Sequence, residues 1–230
     1  MRNKNFKKLL TLATLAISTS TILWNSESAS AQVQSNVIQE LETKINQQLD
    51  LELNQFITEN NLNVEIEGAS ISIEETALQN YENLEEIELA IKKDIEDFKK
   101  VLSNSSISIE KSKVQPLLED NGTYYTAVVN SSVPGVGWGY IKQDFKASLT
   151  STKINSITFI GSSYTSGFTI GRWTPNYPYE EISSDKTTAE INMKGTYSYG
   201  IGDFTYDYPC TFMEKVKVSN GKLVHVNPNS

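Results

Sequence analysis

The side chains able to act as nucleophile or general base are scarce in this chain. It holds one histidine, His225, and one cysteine, Cys210. A Ser-His-Asp or Cys-His apparatus needs an imidazole within hydrogen-bond reach of its nucleophile, and here that base would hang from a terminal strand or tail. Cys210 falls between Tyr208 and Phe212, on the apolar side of an alternating segment. Burial there raises a thiol's pKa and makes it inert. One His and one Cys do not make an ordinary zinc site, and the sequence has neither an Asp-rich calcium loop nor a glycine-rich phosphate loop. No catalytic residue, metal or cofactor is expected.

Paired carboxylates are the other enzymatic option. Glu180-Glu181 lies beside Tyr177 and Tyr179, and Asp203 and Asp207 flank a turn, so the residue types of a glycosidase pair are present. Neighbours on a strand face opposite ways, however, and acids at turns ordinarily cap the backbone.

Aromatic residues carry the stronger signal. Alternation from Gly137 to Leu149 puts Ile141, Phe145, Ala147 and Leu149 on one face, leaving Trp138 and Tyr140 with Lys142, Asp144 and Lys146 on the other. A second group, Arg172, Trp173, Tyr177 and Tyr179, occupies a run stiffened by Pro175 and Pro178, which limits the entropy lost on binding. Flat rings beside Asn and Arg suit stacking on sugars or anchoring a protein partner. Trp138, Tyr140, Arg172, Trp173, Tyr177 and Tyr179 are therefore the candidate binding surface. The competing expectation is that the second loop folds back and caps the end of a barrel.

The elements that must position these residues differ between the two halves. Residues 32–120 hold 19 Asp and Glu against 7 Lys, whereas 121–230 hold 8 acidic against 9 basic residues. In the acidic part, Ile38, Leu41, Ile45, Leu49, Leu53, Phe56 and Ile57 recur at helical spacing, predicting one helix over 34–59. A second stripe, Leu84, Ile87, Ile91, Ile95, Phe98 and Leu102, predicts another from near Glu74 to Ser103. Short alternating runs, Val64 to Ile66, Ile71 to Ile73 and Ile107 to Ile109, predict strands, and the matching Ser-Ile-Ser-Ile-Glu texts at 70 and 106 suggest a strand-helix-strand unit.

From Thr123 the period is two. A long hairpin is predicted over 187–218 with its turn at Gly200 to Asp203, a tight turn at Asn220-Gly221, and strands at 141–149 and 154–160. The fold class is α+β: amphipathic helices with short strands over 32–118, followed by an antiparallel β-sandwich or open barrel over 121–230.

Residues 1–31 read as an export signal. Arg2, Lys4, Lys7 and Lys8 precede an apolar run from Leu9 to Leu23, and Ala29-Ser30-Ala31 offers a small-residue cleavage site before Gln32. The run is short and diluted for a membrane anchor. A secreted, extracellular protein is expected, and Lys- and Asn-rich, Arg-poor usage leans towards a Gram-positive source. Acidic surface disfavours nucleic acid, and without a basic cluster after the signal a membrane partner is not expected.

Trp138 followed by Phe145-Lys146-Ala147, then Lys153-Ile154-Asn155-Ser156-Ile157, Lys186-Thr187-Thr188-Ala189 and Gly221-Lys222-Leu223 give residues 135–226 a resemblance. The stretch resembles the small secreted β-domains of unknown function of Gram-positive bacteria catalogued as DUF5626. The resemblance implies a β-domain and brings no activity with it. The reading as a whole is a secreted, non-enzymatic protein acting by surface recognition of a cell-surface glycan or protein. The alternative is a secreted toxin or bacteriocin-like effector whose long hairpin meets membrane.

Overall fold

The computed structural model describes residues 31–112, 122–131, 139–167 and 171–226. The export signal expected at 1–31 thus lies outside the described residues but for Ala31, and so do Trp138 and nearly all of the 112–121 boundary. The elements, in chain order, are α1 Ala31–Glu59, β1 Val64–Ile66, β2 Ser70–Ile73, α2 Ala77–Asn80, α3 Leu84–Ser103, β3 Ser106–Lys111, β4 Thr123–Ser131, β5 Gly139–Leu149, β6 Ile154–Ser166, β7 Arg172–Pro175, β8 Tyr179–Ile182, β9 Thr188–Ile201, β10 Phe204–Ser219 and β11 Lys222–His225.

The strict alternation of β9 and β10 makes them the spine. They pair antiparallel from Thr188 opposite Lys217 to Ile201 opposite Phe204, with no break in register. One face therefore gathers Ala189, Ile191, Met193, Tyr197 and Tyr199 with Phe204, Tyr206, Tyr208, Cys210, Phe212 and Val216, all buried. Asn220 and Gly221, at φ 51° and 71°, form the tight turn that sends β11 back along β10.

Shorter strands complete the sheet on both sides. β11, β1 and β2 take successive stretches of β10's free edge, and β8 and β7 do the same for β9, giving a seven-stranded sheet A. Sheet B runs β3-β4-β5-β6. Both are antiparallel and neither closes on itself, which fits an open sandwich. The sheets are bridged where the Leu223 N–H donates to the Tyr125 hydroxyl and the Trp173 Nε1–H to Ser163 Oγ.

Helix α3 covers the other end of the same spine face. Phe98 stacks on Tyr208 with ring centroids 3.7 Å apart, Tyr206 donates to Asp94, and Ser131 of sheet B donates to the Val101 carbonyl. The second helix expected from Glu74 is split, because Tyr81 is extended and Asn83 caps a new start by accepting from Glu86 N. The two Ser-Ile-Ser-Ile strands also part company. Ser70–Ile73 joins sheet A and Ser106–Lys111 joins sheet B, so they form no single strand-helix-strand unit.

The strands β1 and β2 of the 32–118 stretch thus belong to the same sheet as β10 of the 121–230 stretch, and one continuous core runs from Ile38 to Leu223. The two stretches do not close separate cores. Helix α1 lies along the free edge of β1 and β2. At every fourth residue it offers a polar side chain to the exposed backbone of β1 and β2: Glu42 accepts from Ile73 N, Asn46 exchanges both bonds with Ile71, Asp50 accepts from Gly68 N and Ala69 N, and Asn54 donates to the Ile66 carbonyl. An open strand edge is a template for unwanted pairing, and this stripe satisfies it without another strand.

Candidate functional site

The register separates the expected binding residues. Tyr140 lies on the outer face of sheet B, opposite Asn130 and Ser166. Arg172 and Tyr179 share the outer face of sheet A, but pair with Ser198 and Asn192 respectively. At ~3.3 Å per residue those two positions on β9 stand about 20 Å apart. Tyr177 projects between β7 and β8, where four steps from Pro175 to Tyr179 oppose three from Gly195 to Asn192; this one-residue bulge leaves its side chain 89% exposed.

Trp173 corrects the expectation of a surface ring. It pairs with Tyr197 on the core face, is buried, and packs against Phe212 at 6.0 Å. Its indole crosses over Gly195, where a Cβ would stand 2.3 Å from the ring. Glycine is required there by the close approach.

One surface does bring aromatic and polar groups together. On the outer face of sheet B, Tyr140, Lys142 and Asp144 of β5 lie beside Ser166, Tyr164 and Ile160 of β6. Tyr140, Tyr164 and Ile160 are 42%, 43% and 41% exposed. Lys142 Nζ sits 5.4 Å from the Tyr140 ring centre, and Gly167 lies against that ring's edge. Asp144 accepts from Thr126 Oγ1 at 2.5 Å and from the Tyr164 hydroxyl at 3.2 Å. Burial first, then the neighbouring Asp144, pushes Tyr164 above the ordinary tyrosine range, so it stays a neutral donor. A carboxylate has about four lone-pair positions, which leaves two of Asp144's for a ligand.

Asp144 was read on this face from sequence, but Tyr164 and Ile160 escaped for a local reason. From Asp144 to Lys142 the partner strand advances from Ile160 to Tyr164, two residues too many, around Gly161 at φ 63°. Strict alternation cannot be followed through such an irregularity. The bulge is propped from within: the Gln143 amide donates to the Gly161 carbonyl and Ser163 receives Trp173.

The candidate chemistry resolves into structural roles. Cys210 is buried, donates to the Tyr208 carbonyl, and has its thiol pushed up by desolvation. Asp203 receives Thr76 and Asn80, which hold it below the ordinary carboxylate range, and Asp207 receives Ser198. Glu180 and Glu181 face opposite ways on β8, paired with Ile191 and Glu190.

His225 has a partner that the sequence did not suggest. Its Nδ1 lies 2.7 Å from Glu214 Oε1, and Glu214 is fully buried on the apolar face of β10. Burial raises the Glu214 pKa, and His225 opposes that shift. A Glu between Phe212 and Val216 on the apolar parity was the available signal. Among the described residues no cluster of three or more His, Cys, Asp or Glu side chains is placed to hold a metal ion. No described helix is long and apolar enough to cross a membrane.

Comparison of the chain with family models, with curated proteins and with solved structures gives no match in any of the three.

Proposed function

We propose that this is an exported, non-enzymatic recognition protein whose contact surface is the outer face of sheet B, and that its ligand is a carbohydrate of the cell surface. The observation that carries the reading is the group of Tyr140, Tyr164 and Ile160, large side chains left partly exposed side by side on a rigid sheet, with Asp144 and Lys142 between them. Sugar rings present apolar C–H faces edged by hydroxyls, and a tyrosine platform with a carboxylate acceptor and an ammonium donor complements both. Strands hold such groups more firmly than loops do, so little ordering entropy is lost on binding. The signal-like residues 1–31 and the resemblance to secreted Gram-positive β-domains support export. An open sandwich of sheets A and B is the architecture that presents the platform.

The test is retention of the mature chain, residues 32–230, on insoluble cell-wall glycan. Tyr140→Ala with Tyr164→Ala should abolish retention and leave the urea melt nearly unchanged, since exposed rings have little packing to lose. Retention equal to the parent's would overturn the proposed site. Leakage of dye from anionic liposomes at the same protein concentration would move the reading to a membrane-active effector.

A further inference from the structure

The opposite face of the molecule carries a second unusual arrangement. On the outer face of sheet A, Asn192 stands in the row Tyr179–Asn192–Met213, next to the row Glu181–Glu190–Lys215. Asn192 belongs to the polar parity of β9, yet it is 1% exposed, and neither its Nδ2 nor its Oδ1 has a hydrogen-bond partner. A buried carboxamide with both ends unmade is costly and rare in folded proteins. Directly across the pair stands Tyr179, which remains 42% exposed.

Carboxylates outnumber cations around that ring. Glu65, Glu181, Glu190 and Glu67 all act on the Tyr179 hydroxyl, adding to burial in raising its pKa. None of the four makes an ion pair with a described lysine or arginine, although Lys194 and Lys215 stand on the same face. No described cluster is built to hold a metal ion. An organic cation fits this set better: a ring face attracts it, carboxylates neutralise it, and the unmade Oδ1 of Asn192 accepts an N–H that a quaternary ammonium lacks.

We propose that Tyr179, Asn192, Glu181 and Glu190, with Glu65 and Glu67 beside them, form a binding site for a primary alkylammonium group, such as a lysine side chain of a wall or surface peptide. The site lies on the far side of the sandwich from the Tyr140 platform and does not depend on it.

The experiment is a titration of the ¹⁵N-labelled mature chain with Nα-acetyl-lysine methylamide, read at the Asn192 side-chain amide. A saturable shift is expected, absent with the Nε-acetylated analogue, smaller with tetramethylammonium and reduced by salt. Glu181→Gln with Glu190→Gln should weaken binding about tenfold, as loss of charge-assisted contacts does. Tyr179→Leu removes the ring face and should also weaken it. The site is refuted if Asn192 does not shift saturably, if the Nε-acetylated analogue gives the same shift, or if magnesium chloride reproduces it, since that would show only a diffuse negative field. Sugar retention by the Tyr140 face is unaffected by any of these outcomes.

Discussion

The two ends of the β9–β10 hairpin use the same apolar face for different covers. Near the turn, Tyr197, Tyr199, Tyr206 and Tyr208 lie under α3, with Phe98 stacked on Tyr208 and Asp94 receiving the Tyr206 hydroxyl. At the far end, Ile191, Phe212, Glu214 and Val216 lie towards sheet B and β11, with His225 on Glu214 and Trp173 reaching Ser163. At each end desolvation raises a carboxylate's pKa: half-buried Asp94, where Tyr206 opposes the shift, and buried Glu214, where His225 does. A helix and a sheet both serve as covers for one long strand pair, and at each end one polar group meets a partner, Tyr206 on Asp94 and Glu214 on His225.

If the ends are one cooperative unit, the largest effect comes from removing a cover. A fragment of residues 121–230 keeps β4–β11 but loses α3, β1, β2 and β3, leaving four buried tyrosines and the β10 edge open to water. Exposed aromatic surface beside an unpaired edge predicts aggregation. The fragment should therefore collect as aggregate while the mature chain stays soluble. A soluble, β-rich fragment by far-UV circular dichroism would show the sheet-B end to be autonomous.

A smaller change probes that end alone. Trp173→Ala removes a buried indole, its contact with Phe212 and the donor to Ser163, and should destabilise by roughly 3 to 5 kcal/mol in urea melts. A loss within about 0.5 kcal/mol would return Trp173 to the surface.

What could be read from sequence follows from periodicity. The core parities of β5, β9 and β10 and the Asn220-Gly221 turn were legible because each is written in consecutive residues. Three features were not. Glu214 breaks an apolar parity that its neighbours otherwise keep, and its partner His225 is brought close only by the turn back into β11. Tyr164 was lost at the irregularity around Gly161. The role of Glu42, Asn46, Asp50 and Asn54 was not legible either, since nothing in a helix's own pattern says that a strand edge will lie against it. For the same reason the residues on either side of 112–121 read as two objects, although their strands share sheet A. Of the candidate site, Tyr140, Lys142 and Asp144 were legible on one face, and Tyr164 and Ile160 were not.

The finest comparison of the two ends is by pH. Glu214 binds its proton more tightly in the folded chain than in the unfolded one, because burial disfavours the charged form more than His225 restores it. The stability it contributes is therefore complete below the unfolded carboxyl pKa, and is lost as pH rises through the higher folded value. Glu214→Gln cannot titrate. Its stability relative to the parent should climb from about pH 4 upward, where unfolded carboxyls ionise, and level off once folded Glu214 is charged. Asp94→Asn should show the same sign at the α3 end, since burial raises Asp94 as well. Urea midpoints across that range provide the measurement. Parallel curves for parent and Glu214→Gln would mean that His225 cancels the burial of Glu214 completely, and a rise for Asp94→Asn alone would leave the helix-covered end as the only one that buries charge at a cost.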